Sequence, residues 1–161
     1  MPSLIPPTTR MHTAFLDCRH DWGPGLHEDG FGITATDDVD TPDGFTTWIH
    51  RITGHDHPAT PRWITEDGQI LGAITLQHHH NPRTGHIGYG VRPTARGRGL
   101  ATWALAETLT LAQALGLDRV LLLCLTENSA SARTIERNGG TLTTDDGHLR
   151  HYWITLAPAP E

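Results

Sequence analysis

The segment Val91-Arg-Pro-Thr-Ala-Arg-Gly-Arg-Gly-Leu-Ala101 constrains this chain more than any other. A strand pattern ends in it, two glycines turn the backbone, and a long helical pattern begins. Apolar residues then recur at Ala101, Ala104, Leu105, Leu111, Ala112 and Leu115, and Gly116 is placed to stop the helix. The first turn of a helix leaves N–H groups unpaired and carries the positive end of the helix dipole. Glycines there let a phosphate approach the bare backbone, and Arg96 and Arg98 add positive charge. Taken alone, the same letters also describe an ordinary connection between a strand and a helix.

Composition removes several other phosphate and cofactor chemistries. The chain has 12 basic residues against 18 acidic ones, a net charge of −6, and every basic residue other than histidine is arginine. Without lysine there is no Walker-type phosphate grip and no Schiff base to pyridoxal phosphate, and the acidic balance argues against nucleic acid. A dinucleotide-binding fingerprint would need a third glycine where Thr102 stands, and Asp118 precedes the next strand instead of ending it. Cys18 and Cys124 are too few for a disulfide framework or a cysteine zinc site, and both read as buried thiols. His78-His79-His80 alternates faces on a strand with no carboxylate or cysteine at ligand spacing, so no metal site is expected. No run approaches the roughly 18 apolar residues of a membrane-spanning helix, and the first residues do not read as a signal peptide, so a cytoplasmic protein is expected.

The 161 residues show no repeat and no linker, which predicts a single domain over residues 1–161. A short strand at residues 3–5 is followed by a helix over about 9–22, a long Gly, Pro and Asp-rich loop over 23–44, and a helix starting at Thr41-Pro-Asp-Gly. Short apolar runs between residues 62 and 91, broken at Asp67-Gly68 and at 81–85, read as an antiparallel meander. After the helix over 98–115, the apolar run at 120–125 reads as a central strand covered on both faces. A helix over 128–138, closed by Gly139-Gly140, precedes two strands near 140–144 and 148–156. The order predicts an α/β fold with a mixed central sheet.

Three segments carry a resemblance to a known family. Arg96, Gly99 and Ala101 spell Arg-x-x-Gly-x-Ala, which resembles the acetyl-CoA pyrophosphate signature of the GCN5-related N-acetyltransferases, the GNAT superfamily. Residues 125–140, with Asn128 opening a helix and Gly139 closing it, resemble that family's strand-to-helix segment. Leu76-Gln-His78, Gly85-His86-Ile-Gly88-Tyr89 and Arg150-His-Tyr152-Trp153-Ile are similar to a subgroup of predicted acetyltransferases. The element order is also similar, so the resemblance covers nearly the whole chain. It implies a GNAT fold of about six to seven strands with helices on both faces, the strands ending at Val91 and at 125 splayed around the pantetheine arm of acetyl-CoA. Tyr89 and Val91 would line the cofactor, and the N–H groups of Arg96, Gly97, Arg98, Gly99, Leu100 and Ala101 would hold its pyrophosphate. Asn128 would orient pantetheine or substrate, or simply cap its helix.

Acetyl transfer needs a base for the amine, a donor for the oxyanion and a proton for the CoA thiolate. His86, on the strand leading into the turn, is the candidate base, with Glu28, Asp29 and His78 as substitutes that would also face the acceptor. A structural histidine fits the same position. A backbone N–H at Gly90 or Val91 would meet the oxyanion. Much of the family supplies the thiolate proton from a tyrosine, but the position seven residues after Asn128 is Ile135. Ser131 is the replacement the resemblance implies, with Tyr152 next. Residues 17–43 hold eight carboxylates against Arg19 alone, which would make an acidic wall that attracts a cationic amine, or a solvated loop. Trp22, Trp48 and Trp63 read as pocket lining or as core. The resemblance implies an acetyl-CoA-dependent N-acetyltransferase acting on a small cationic amine in a ternary complex, in a family whose members are often homodimers. The alternatives are a non-catalytic acyl-CoA sensor and an acyltransferase with another donor.

Overall fold

Asp67 and Gly68 both take positive φ, 53° and 77°, and so close the two-residue hairpin that the sequence marks at this point. The computed structural model describes residues 1–157, and the hairpin joins β2 (Ala59–Glu66) to β3 (Gln69–Gln77). The chain divides into two units, residues 1–75 with 89–100, and residues 76–88 with 101 onward.

In the first unit, β1 (Ser3–Ile5) pairs antiparallel with β2, Ser3 opposite Thr65 and Ile5 opposite Trp63. The sheet order is β1-β2-β3-β4, with β4 (Ile87–Val91) at the edge. Two helices cover this sheet's core. In α1 (His12–Trp22), Phe15 and Cys18 are buried one turn apart, and a 3-10 turn at Thr9–Met11 replaces the first residues of the expected helix. In α2 (Pro42–Thr53), Phe45, Trp48, Ile49 and Ile52 form one apolar stripe. Thr41 caps α2 by accepting the Gly44 N–H at 3.1 Å, and Pro42 stands where its missing N–H costs nothing. These side chains close on Phe31, Trp63 and Ile70. Trp48 and Trp63 are each 1% exposed and belong to this core, not to an open pocket, and their indole N–H groups have no hydrogen-bond partner among the described residues.

The second unit holds α3 (Leu100–Ala114, from Ala101 on), β5 (Arg119–Leu125), α4 (Ser129–Arg137), β6 (Thr141–Asp145) and β7 (Leu149–Thr155). Its sheet order is β5-β7-β6, antiparallel throughout, with Leu122 opposite Tyr152 and Val120 opposite Ile154. Those four residues share one face and are all buried, and Ala132 and Ile135 of α4 are buried as well. Leu123 and Leu125 are only half-buried, so the cover over β5 is less complete than an unbroken apolar run predicts.

The resemblance implies about six to seven strands that splay at the cofactor site, and the structure divides seven strands into two antiparallel sheets, β4 ending the first and β5 ending the second. His86 supplies a physical reason. Its N–H donates to the Leu121 carbonyl at 2.7 Å, and its Nδ1 accepts the Leu121 N–H at 2.9 Å. A single residue thus takes both outward main-chain groups of Leu121, and an imidazole stands where a ladder would have continued.

Candidate active site

The turn after β4 is pinned from its first residue. The Arg92 N–H donates to the Leu71 carbonyl at 2.8 Å, which closes the β3–β4 ladder. By strand alternation the N–H of Val91 then faces away from β3, outward from the edge strand. The Arg92 guanidinium is buried and donates from Nε to Asp21 Oδ2 at 2.7 Å and from Nη1 to Asp17 Oδ2 at 3.1 Å. Thr94 adds its hydroxyl and its N–H to the same Asp21 oxygen, at 2.5 and 3.2 Å. The Thr94 hydroxyl and the Arg92 guanidinium together hold the Asp21 carboxyl below the usual carboxylate range. Sequence reading missed this anchor, although its signal was there: Asp17 and Asp21 lie four residues apart on one face of α1. Arg92→Met should cost about 3 kcal/mol, because breaking one side of a buried pair strands its partner. A urea unfolding midpoint unchanged from the parent would contradict this.

Beyond the anchor the backbone opens. Pro93–Ala95 forms a 3-10 turn, closed by the Ala95 N–H on the Arg92 carbonyl at 3.0 Å. Gly97 and Gly99 then take φ of 81° and 77°, left-handed values that favour glycine, and a Cβ at either would meet nothing within 4 Å. Among the described residues no backbone acceptor is found for the N–H of Gly97 or Gly99. A run of unpaired N–H groups around left-handed glycines at a helix start is the geometry that receives a phosphate, so the residues present fit a diphosphate. The two arginines contribute less free charge than expected. The Arg96 guanidinium lies 4.9 Å over the Trp22 ring and donates from Nε to the Val91 carbonyl, and Arg98 pairs with Glu66 at 2.8 Å.

One further segment of this unit lies against β4. Gly30 packs so closely that a Cβ would meet the Ala73 carbonyl and, at 2.8 Å, the Tyr89 Cα. A Cβ on Gly90 would lie 2.7 Å from both the Asp29 Cα and the Glu28 carbonyl oxygen. Thr75 fastens this crossing by donating its hydroxyl to the Gly30 carbonyl at 2.8 Å. Asp29 is 5% exposed, its Oδ1 accepts the Phe31 N–H at 2.9 Å, and burial pushes its carboxyl above the usual range. Glu28 beside it is exposed. The acidic wall is smaller than the sequence implies: Asp17 and Asp21 serve Arg92, Asp37 pairs with Arg51 at 2.8 Å, and Asp38 accepts the Thr41 hydroxyl at the start of α2.

The remaining candidates belong to the second unit. His86 is 4% exposed, and because its Nδ1 accepts the Leu121 N–H, the neutral ring carries its proton on Nε2. No lone pair is left for a substrate proton while that bond holds. Burial first, then the charges of His80 and Arg119, lower its pKa below the usual imidazole value. An unfolded chain therefore binds more protons than the native one as the pH falls through about 6.5, and stability is lost on that acid side. His86→Leu should remove this part of the acid slope, read as the difference in unfolding midpoint between pH 7.5 and 5.5. An equal slope in parent and variant would refute it. His78 is half-buried, and His80 stacks on Trp153 with centroids 5.7 Å apart.

Asn128 caps α4, accepting the Ser131 N–H on Oδ1 at 3.1 Å. Ser131 is half-buried in the first turn of that helix. Tyr152 is 2% exposed and turns its hydroxyl to Glu136 Oε1 at 3.4 Å, and burial raises its pKa. The first unit thus gathers Glu28, Asp29, Tyr89, Val91 and the turn from Arg96 to Leu100, and the second holds His78, His86, Ala101, Asn128, Ser131 and Tyr152.

A family model for the GNAT acetyltransferase domain matches residues 13–141. No curated protein matches the sequence. Solved structures do. The ribosomal-protein α-N-acetyltransferase RimL, in complex with coenzyme A, is 16% identical with a TM-score of 0.74, over 96% of this chain and 94% of that one. The microcin self-immunity acetyltransferase MccE, in complex with acetyl-CoA and AMP, is 18% identical with a TM-score of 0.70, over 96% and 92%. Mutant forms of the spermidine/spermine N-acetyltransferase SpeG from Vibrio cholerae are 12% identical with a TM-score of 0.67, over 96% and 95%. The family model covers most of the chain, the turn after β4 included, and this chain therefore belongs to the GNAT family of acetyltransferases, whose acetyl donor is acetyl-CoA.

Proposed function

We propose that the protein is an N-acetyltransferase that moves the acetyl group of acetyl-CoA onto the primary amine of a small cationic acceptor, with both substrates bound at once. The observation that carries the reading is the turn at Gly97 and Gly99, open, left-handed and lined by unpaired N–H groups at the start of α3. The N–H groups from Arg96 to Ala101 hold the pyrophosphate, helped by the helix dipole. When bound, acetyl-CoA supplies a thioester carbonyl activated toward amines. The outward N–H of Val91 stabilises negative charge on that carbonyl oxygen, a preorganised donor that needs no side chain. Tyr89 flanks the thioester from the same strand. Asn128 fixes the start of α4, and the Ser131 hydroxyl next to it gives the thiolate its proton. Tyr152 suits that task less well, buried and bonded to Glu136 as it is.

A cationic acceptor is supported by the exposed Glu28 and the buried Asp29 against β4. The name of the neighbour SpeG, a spermidine/spermine N-acetyltransferase, points to the same acceptor class. We place the protein in the cytoplasm, as a homodimer. The test is thiol release from acetyl-CoA with a panel of polyamines, amino sugars and amino acid amides. Release with one acceptor class and a product carrying an amide-linked acetyl group is expected. Binding of acetyl-CoA without release on any of them would replace the enzyme by an acyl-CoA sensor.

A further inference from the structure

His86 is bonded on three sides. Its carbonyl accepts the Gln77 N–H of β3 at 2.6 Å, and its own N–H goes to the Leu121 carbonyl of β5 at 2.7 Å. The ring takes the other outward group of the same partner, Nδ1 accepting the Leu121 N–H at 2.9 Å. Gly85 brings the main chain equally close, since at its φ of 70° a Cβ would lie 2.6 Å from the Leu121 carbonyl oxygen. From Leu121, β5 runs on to Leu125, whose carbonyl accepts the Asn128 N–H at 2.9 Å. Asn128 in turn caps α4 at the Ser131 N–H. The seat of β5 on the connection between β3 and β4 thus sets where α4 begins.

The ring can hold Leu121 only while it is neutral. A protonated imidazole carries hydrogen on both nitrogens, so Nδ1 would set a second donor against the Leu121 N–H and the bond would be lost. Nothing around the ring shelters such a charge. The charged groups that face it are His80 of the same connection, with ring centroids 5.7 Å apart, and Arg119 of β5. β7 contributes the Trp153 indole, opposite Leu121 in register, but the Arg119 guanidinium already lies on that ring at 4.1 Å and His80 stacks on it as well. Among the described residues no carboxylate pairs with His80, His86 or Arg119.

We propose that His86 is a positioning residue for acetyl transfer and an acid-released clip: its neutral ring seats β5, and through β5 Asn128 and Ser131, and a proton on Nδ1 frees Leu121 and unseats them. The effect on turnover rests on the N-acetyltransferase reading above, whereas the release of Leu121 does not. His86 exchanges its proton with solvent and none with a substrate. Because folding disfavours the charged ring, release sets in only as the pH falls below about 6.5, the ordinary histidine value. The protein works at neutral pH and loses turnover in mild acid while it is still folded.

His86→Asn and His86→Leu separate the clip from the bulk of the ring. Asparagine places Oδ1 as many bonds from the backbone as Nδ1 and accepts the Leu121 N–H at every pH, whereas leucine accepts nothing. Hydrogen exchange at the Leu121 amide, corrected for the pH dependence of an unfolded chain, needs neither cofactor nor acceptor. In the parent its protection should fall about three- to tenfold between pH 7.5 and pH 5.5, tenfold being the most that one unit below the ordinary value allows. Protection should hold constant in His86→Asn and be low at both pH values in His86→Leu. Thiol release with the amine panel should follow. The ratio of the rate at pH 5.5 to that at pH 7.5 should be about threefold or more higher in His86→Asn than in the parent, and His86→Leu should be slow at both. Constant protection in the parent overturns the proposal, and so does an equal loss of protection in His86→Asn. A rate ratio that His86→Asn leaves unchanged overturns it as well. A parent that releases thiol with no amine sinks the underlying reading instead, and exchange at Leu121 still decides the clip.

Discussion

Gly99→Glu will abolish the stabilisation that acetyl-CoA gives the parent protein. Two effects combine at this position. The φ of 77° suits glycine, and an L side chain forced there costs about 1–2 kcal/mol. That strain lowers the Tm of the free protein but does not by itself prevent binding. The second effect does: the carboxylate enters the open space above the unpaired N–H groups and brings a like charge to a diphosphate. A ligand at about 100 times its dissociation constant stabilises by roughly 2.7 kcal/mol, which for a chain of this size shifts the Tm by several degrees. The parent should show that shift and the variant none. Gly139→Glu is the control, because Gly139 has a φ of 87°, also open to solvent, but ends α4. It should lose similar stability on its own and keep the full response to acetyl-CoA. Loss of the response in both variants would mean that the effect is general strain and would remove the turn as the phosphate site.

What the sequence shows and what it hides follow from the range of the interactions. The turn at Gly97 and Gly99 is a local device, a strand end, two left-handed glycines and a helix start, and all of it is written in consecutive letters. The same holds for the Asp67-Gly68 hairpin and for the caps at Thr41 and Asn128. Contacts across the chain were not legible. The spacing of Asp17 and Asp21 marks a shared helix face, but nothing near Arg92 in sequence names it as their partner, so those carboxylates counted toward an acidic wall that is partly spent on structure. His86 sits where a base would be looked for, but its Nδ1 goes to a main-chain N–H 35 residues away. The division between β4 and β5 was legible only through the family resemblance, because an imidazole that ends a ladder leaves no mark on hydrophobic periodicity.

Gly30→Ala should cost more than any other glycine-to-alanine change in the loop after α1, and should slow the enzyme as well as destabilise it. Its φ is 79°, so the substitution carries the left-handed penalty of about 1–2 kcal/mol. The new methyl group would also press on the Ala73 carbonyl and on the Tyr89 Cα at 2.8 Å. These are main-chain atoms of two paired strands and cannot swing aside as a side-chain tip would. The loop must lift instead, at an overpacking cost of about 1–3 kcal/mol. Lifting weakens the Thr75 bond to the Gly30 carbonyl and disturbs Phe31, which fills the core of this unit at 1% exposure. It also moves Glu28 and Asp29, the carboxylates proposed above to attract the acceptor, off Gly90, and a misplacement of about 1 Å in a substrate-positioning segment costs roughly 100-fold in rate. Gly32→Ala separates the two causes, since Gly32 has a φ of 74° with nothing within 4 Å of a Cβ. It should lose only the conformational part of the stability and hold most of its turnover. Equal losses in the two variants would show that the close crossing of β4 contributes nothing beyond the φ it imposes. A larger loss at Gly30 in both unfolding midpoint and rate ties the acceptor side of the site to one close packing contact, made where the chain carries no side chain.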